Sequence, residues 1–170
     1  KYVEEVGLDI LKLLLEKCPE SVQHAAENGN LPIHAAAANQ SPEFCRILIE
    51  AYPGSERITA INSLLPFHAA CALNTVATAK YFYQLYPECI NVADNLGRYP
   101  IHYASDGIKH RKDKSETAVE MTEFLLDCDS NVALQQFRDN LPLYWVCIWA
   151  TNNENRSKMN AYLKVLQLLY

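Results

Sequence analysis

The sequence lacks the marks of several large protein classes. No apolar run approaches the roughly 18 residues that a membrane-spanning helix needs, and no signal-peptide pattern opens the chain. There is no Gly-rich phosphate loop, no His-Glu-x-x-His and no Gly-x-Ser-x-Gly, so the common phosphate, zinc and serine-hydrolase motifs are absent. Excess basic charge is missing too. Lys and Arg number 15 against 20 Asp and Glu, and the net charge of -5 argues against a general nucleic-acid binder. None of the six cysteines (Cys18, Cys45, Cys71, Cys89, Cys128, Cys147) forms a Cys-x-x-Cys pair, and their spacings follow no metal framework. They fall mostly in or just after predicted helices and are expected to be buried free thiols of a reducing compartment. Asn39-Gln40-Ser41 and Asn155-Arg156-Ser157 match a glycosylation pattern that means nothing inside a cell.

What is present is a repeat. Leu31-Pro32-Ile33-His34 returns as Leu65-Pro66-Phe67-His68, as Tyr99-Pro100-Ile101-His102, and in weaker form as Leu141-Pro142-Leu143-Tyr144. The prolines step by 34, 34 and 42 residues. A second series keeps register: Pro19, Pro53 and Pro87 each lie 13 residues before the next such stretch, and Asp129 lies 13 before Pro142. Two punctuation series at one period describe a stack of similar units.

Taken in order, residues 1–27 read as a partial unit. Val6, Ile10, Leu13 and Leu14 recur at helical spacing up to Pro19. Residues 28–61 form the first full unit. Asn28-Gly29-Asn30 is turn chemistry, Pro32 suits a first helical position, and Ser41-Pro42 caps and opens a second helix with Phe44, Ile47, Leu48 and Ala51 on one face. In the second unit, 62–95, Tyr81, Phe82, Tyr83, Leu85 and Tyr86 mark a second helix whose aromatics read as packing. The third unit, 96–137, holds an insertion within Asp106–Glu116 with Lys109, His110, Arg111, Lys112 and Lys114, read as a solvated surface loop or a basic segment for an acidic partner or nuclear import. In the fourth, 138–170, Trp145, Val146, Cys147, Ile148 and Trp149 replace alanines, and a second insertion, Thr151–Lys158, precedes a helix over Met159–Leu169. Both ends are expected to be cut from a longer array.

The unit resembles an ankyrin repeat over nearly the whole chain. The four-residue stretches stand where that family has Thr-Pro-Leu-His. Ala35-Ala36-Ala37-Ala38 and Ala69-Ala70-Cys71-Ala72 match its small helix face, and Ile47-Leu48-Ile49 and Phe124-Leu125-Leu126 match its second-helix cores. The family's Thr is Leu31, Leu65, Tyr99 or Leu141 here. This loses a capping hydroxyl worth roughly 1 kcal/mol, so the apolar residue must be buried. The resemblance implies an all-α solenoid of stacked helix-turn-helix units and a monomeric intracellular protein, cytoplasmic or nuclear. It binds a protein partner through its concave face and needs no cofactor, metal, membrane or nucleic acid. The concave positions it implies are Asn30, Leu64, Arg98 and Asn140 at the turn tips and Ala35, Asn39, Ala69, Leu73, Tyr103, Trp145 and Trp149 on the first helices. Arg98, Tyr103, Trp145 and Trp149 would form a groove of hot-spot residue types. The competing expectation buries Trp145 and Trp149 against an insertion or a neighbouring repeat.

Two further readings belong to other classes. The array could regulate, in cis, a domain beyond its ends. A Cys-dependent enzyme could pair Cys71 with His68, one helical turn apart. The placement of Cys71 on the small inner face favours a core thiol. His34, His68 and His102 are not a metal set, because equivalent residues on stacked helices sit roughly 8–10 Å apart while ligands lie about 2 Å from a metal.

Overall fold

A computed structural model describes residues 2–110, 115–151 and 156–170, without the side chains of a few positions flanking the gaps. The described residues form nine α-helices joined by turns and short 3-10 segments, and no strand beyond one isolated bridge between Phe137 and Asn140. The helices are α1 (Tyr2–Lys17), α2 (Pro32–Asn39), α3 (Pro42–Ala51), α4 (Pro66–Leu73), α5 (Val76–Leu85), α6 (Pro100–His110), α7 (Ser115–Cys128), α8 (Pro142–Thr151) and α9 (Arg156–Leu169). They pack in two rows. The short first helices α2, α4, α6 and α8 contact one another in sequence order, and so do the second helices α1, α3, α5, α7 and α9. A main core runs from Leu11 to Val132, and a smaller one joins α7, α8 and α9 through Ala118, Val119, Val146, Ala161 and Val165.

The four-residue stretches explain the joints. Pro32, Pro66 and Pro100 each open a helix, where no amide donor is needed. The residue before each proline has no capping hydroxyl; the histidine three places on makes the reciprocal bond, to that residue's own amide. His34 Nδ1 accepts from the Leu31 amide at 3.1 Å, His68 Nδ1 from Leu65 at 3.1 Å, and His102 Nδ1 from Tyr99 at 3.0 Å. Since Nδ1 accepts, the proton sits on Nε2. His34 Nε2 donates to the Leu64 carbonyl at 3.1 Å and His68 Nε2 to Val92 at 3.0 Å. His102 Nε2 is influenced by the Gln135 main chain but makes no well-formed bond. Leu31 and Leu65 are buried, as the lost hydroxyl demands, while Tyr99 is half-buried and Leu141 exposed.

Other side chains tie neighbouring units. Asn74 Nδ2 donates to the Ala37 and Gln40 carbonyls at 2.9 and 2.7 Å, satisfying the open end of α2 from the following unit. Thr78 Oγ1 donates to the same Gln40 carbonyl at 3.2 Å, and Gln135 Nε2 to Ile90 O at 3.2 Å. Ser41 and Thr75 cap α3 and α5. Gly29 has a φ of 72°, and a Cβ there would meet Ile61 Cγ1 at 2.8 Å, so only glycine lets the first turn lie against the second.

Several expectations change. Much of the insertion in 106–116 is helix: α6 continues to His110 and α7 starts at Ser115, longer than α4 and α5. The basic residues Arg111, Lys112 and Lys114, and the side chains of Lys109 and His110, lie outside the described residues. Likewise α8 reaches Thr151 and α9 starts at Arg156, ahead of Met159. Ser130, not Asp129, holds the place of Pro53 and Pro87. Asp129 caps the 3-10 segment Ser130–Leu134, as Tyr86 precedes Pro87–Asn91. The 42-residue step thus combines an insertion with a shorter turn before α8. On α3, Ala51 is exposed and Cys45 takes the core place. All six cysteines are free, yet only Cys45, Cys71 and Cys89 are buried. Cys128 is half-buried, and Cys18 and Cys147 are exposed, past the end of α1 and on the outer side of α8.

Candidate functional site

The candidate surface is built from turns and first helices. Each turn closes on a main-chain pair: Ala26 N–Asn30 O at 3.0 Å, Ala60 N–Leu64 O at 3.0 Å, Asp94 N–Arg98 O at 2.9 Å and Phe137 N–Asn140 O at 2.8 Å. Successive tips are stitched by Ile61 N to Asn28 O at 3.5 Å and Asn95 N to Asn62 O at 3.0 Å. The first three turns place Gly29, Ser63 and Gly97 at positive φ. The last is one residue shorter and places both Arg138 (51°) and Asp139 (60°) there.

Arg98 and Tyr103 come together, held by Asp94, a residue absent from the sequence-level candidates. The Asp94 side chain is fully buried. Its carboxylate accepts from the Leu96 and Arg98 amides at 2.9 and 2.8 Å, from Arg98 Nε at 3.0 Å and from the Tyr103 hydroxyl at 2.6 Å. The Arg98 guanidinium lies 4.5 Å from the centre of the Tyr103 ring, and that ring packs T-shaped with His68 at 5.3 Å. Burial pushes the Asp94 carboxyl up, but the Tyr103 hydroxyl and the Arg98 amide and charge outweigh it, and the net effect is downward. Burial and the bond to Asp94 raise the Tyr103 phenol. Part of the signal was in the sequence: the positions equivalent to Asp94 in the first two units are Ala26 and Ala60, so an acid stands where they have alanine.

The remaining candidates are separate. Asn30 is half-buried and lines a shallow cleft of about 370 Å³ with His24, Asn28, Pro32 and Ala35. Leu64 is half-buried, and its carbonyl receives both Ala60 N and His34 Nε2. Asn140 Nδ2 donates to Arg138 O at 2.7 Å. Trp145 is half-buried against Phe137 at 4.9 Å and Tyr144 at 5.5 Å, with its indole N–H on the Phe137 carbonyl at 3.0 Å. The Trp149 side chain lies outside the described residues. Ala35, Asn39 and Leu73 are exposed and Ala69 is half-buried.

His34, His68 and His102 are tied into the fold. Burial pushes His68 and His102 down to about 4 and lowers His34. Both ring nitrogens of His68 are engaged, so neither can take a proton from Cys71. Burial also pushes the Cys45 thiol up to about 12. Among the described residues no cluster of three His, Cys, Asp or Glu is placed to hold a metal ion, and no helix is long and apolar enough to cross a membrane. No protein-family model matches the chain, and no curated protein matches it.

Proposed function

We propose that the chain is an ankyrin-type repeat array that holds a protein partner against the face made by its first helices and turn tips. The observation that carries this is a rigid, repeated frame with side chains that change from unit to unit. Main-chain pairs, His34 and His68 fix the frame. At one equivalent position the units offer Ala35, Ala69, Tyr103 and Trp145, and at another Asn39 and Leu73. Independent variation on a fixed scaffold suits recognition of an extended surface. Asn30, Leu64, Arg98, Tyr103, Asn140, Trp145 and Trp149 remain the proposed contact residues. Arg98 and Tyr103 act as one preformed unit with Asp94, which lowers the ordering cost of contacts they make.

The test compares capture of proteins from cell extract by three forms of the chain. One is unaltered, one carries Ala35→Arg and Leu73→Glu on the first-helix face, and one carries Glu120→Lys on the exposed side of α7. Substituting Arg98 or Tyr103 would disturb the buried Asp94, so the first variant avoids them. A protein retained by the unaltered and Glu120→Lys forms but lost by the first variant supports the reading. Loss only with Glu120→Lys moves recognition to the second-helix row. Retention of nothing favours regulation in cis.

A further inference from the structure

An open apolar groove of about 430 Å³ lies at the last unit, lined by Leu143, Leu163, Leu166, Gln167 and Tyr170. Its three leucines can be matched to earlier units without reference to exposure. Leu143 follows Pro142 as Ile33, Phe67 and Ile101 follow their prolines. Leu166 accepts the amide that ends its helix, from Tyr170, as Leu48 does from Tyr52, Phe82 from Tyr86 and Leu125 from Asp129. Leu163 lies one turn before it, as Cys45, Ala79 and Thr122 do. All nine earlier residues are at most 2% exposed, whereas Leu163 is 50% exposed and Leu143 and Leu166 are half-buried. In each earlier unit a following helix pair packs on these helices: α4 on α2 and α5 on α3, then α6 on α4 and α7 on α5, then α8 on α6 and α9 on α7.

We infer that the groove is the seat of a further two-helix unit of the same kind, joined in register at Tyr170 and continuing both rows. Continuity with three existing interfaces identifies the occupant. Leu163 is bulkier than Cys45, Ala79 or Thr122, so the helices that cover it must leave room with small side chains. The inference stands on unit-to-unit equivalence and is independent of which face binds a partner.

The test appends a copy of residues 53–86 directly after Tyr170, which then holds the place Tyr52 has before that stretch. The expected result is one cooperative transition with Tm raised by about 5 °C, and amide exchange in α9 slowed by about tenfold or more. Both gains should vanish when Leu163→Glu is introduced into the extended chain. An appended segment that melts separately, or leaves exchange in α9 unchanged, overturns the inference. So does dimerisation of the unextended chain in sedimentation that Leu163→Glu abolishes, since a second copy would then cover the groove.

Discussion

The first three units and the fourth start from nearly the same four residues and are held in different ways. In the first three, a histidine bonds the amide that starts its own helix, and in the first two its other nitrogen reaches a distant carbonyl, Leu64 of the second unit for His34 and Val92 of its own unit for His68. In the fourth, Tyr144 takes the histidine's place and is 47% exposed, and a small separate core forms around Val146, Ala161 and Val165. The Trp145 indole donates instead to the carbonyl of Phe137, the last residue of the third unit. One side chain that satisfies two main-chain groups couples a helix start to chain beyond the second helix, and for His34 to the next unit. Where it is lost, apolar packing and the indole bond must fasten the unit.

The largest effect should separate the histidines themselves. His68→Ala strands the Leu65 amide and the Val92 carbonyl and opens a cavity, at a cost of about 4 kcal/mol. His102 makes one good bond, so His102→Ala should cost about 2 kcal/mol. Urea unfolding of the two variants checks the order. Equal losses would show that the bond to Val92 adds nothing to the cap.

Acid should then weaken the first three units before the fourth. An unfolded histidine titrates near 6.5, while His68 and His102 are held down to about 4 in the fold. Between those values the unfolded chain binds more protons, so stability is full above pH 6.5 and is lost as pH falls. At pH 5 the loss is about 2 kcal/mol for each of these two histidines. His34 shifts the same way, and Asp94 adds a loss only below the ordinary carboxylate range. Urea midpoints at pH 7 and pH 5 measure this, and His102→Gln should shrink the difference.

How much of this was legible in the sequence follows the same division. The repeat, the helix starts at the prolines, the Ser41 cap and helix α1 could be read because each depends on residues close in the chain. The insertions could not, because a length count does not say whether added residues extend a helix or leave it. The candidate surface was legible as positions but not as partners. Nothing local says that Asp94 would bury its carboxylate under Arg98 and Tyr103, or that Asn74 would reach back to Ala37 and Gln40. The one-residue slip at Asp129 came from the shorter last turn, which hides inside a longer step.

That turn gives a smaller, local test. Two successive residues at positive φ favour Asn followed by Gly. Arg138→Asn with Asp139→Gly should stabilise by about 1 kcal/mol. The gain should appear as slower amide exchange in α8 and α9 and leave α2 to α5 unchanged. A uniform gain would mean that the two cores unfold together and that the division drawn above is one of architecture alone.

The smallest effect bears on what the histidine is for. Tyr144→His would restore Leu-Pro-x-His to the fourth unit. Its Nδ1 could then accept from the Leu141 amide, as in the other three. Leu141 is 37% exposed, so its amide already has access to water, and the new bond should add only about 0.5 kcal/mol. The same substitution in the chain extended by residues 53–86 gives Nε2 a main-chain neighbour to meet, and there the gain should rise to about 1 kcal/mol or more. A gain that is the same with and without the extension would make the residue a helix cap and nothing else. A gain that appears only in the extended chain would make the bond between units its reason for being there, with the cap as the means of holding the ring in place.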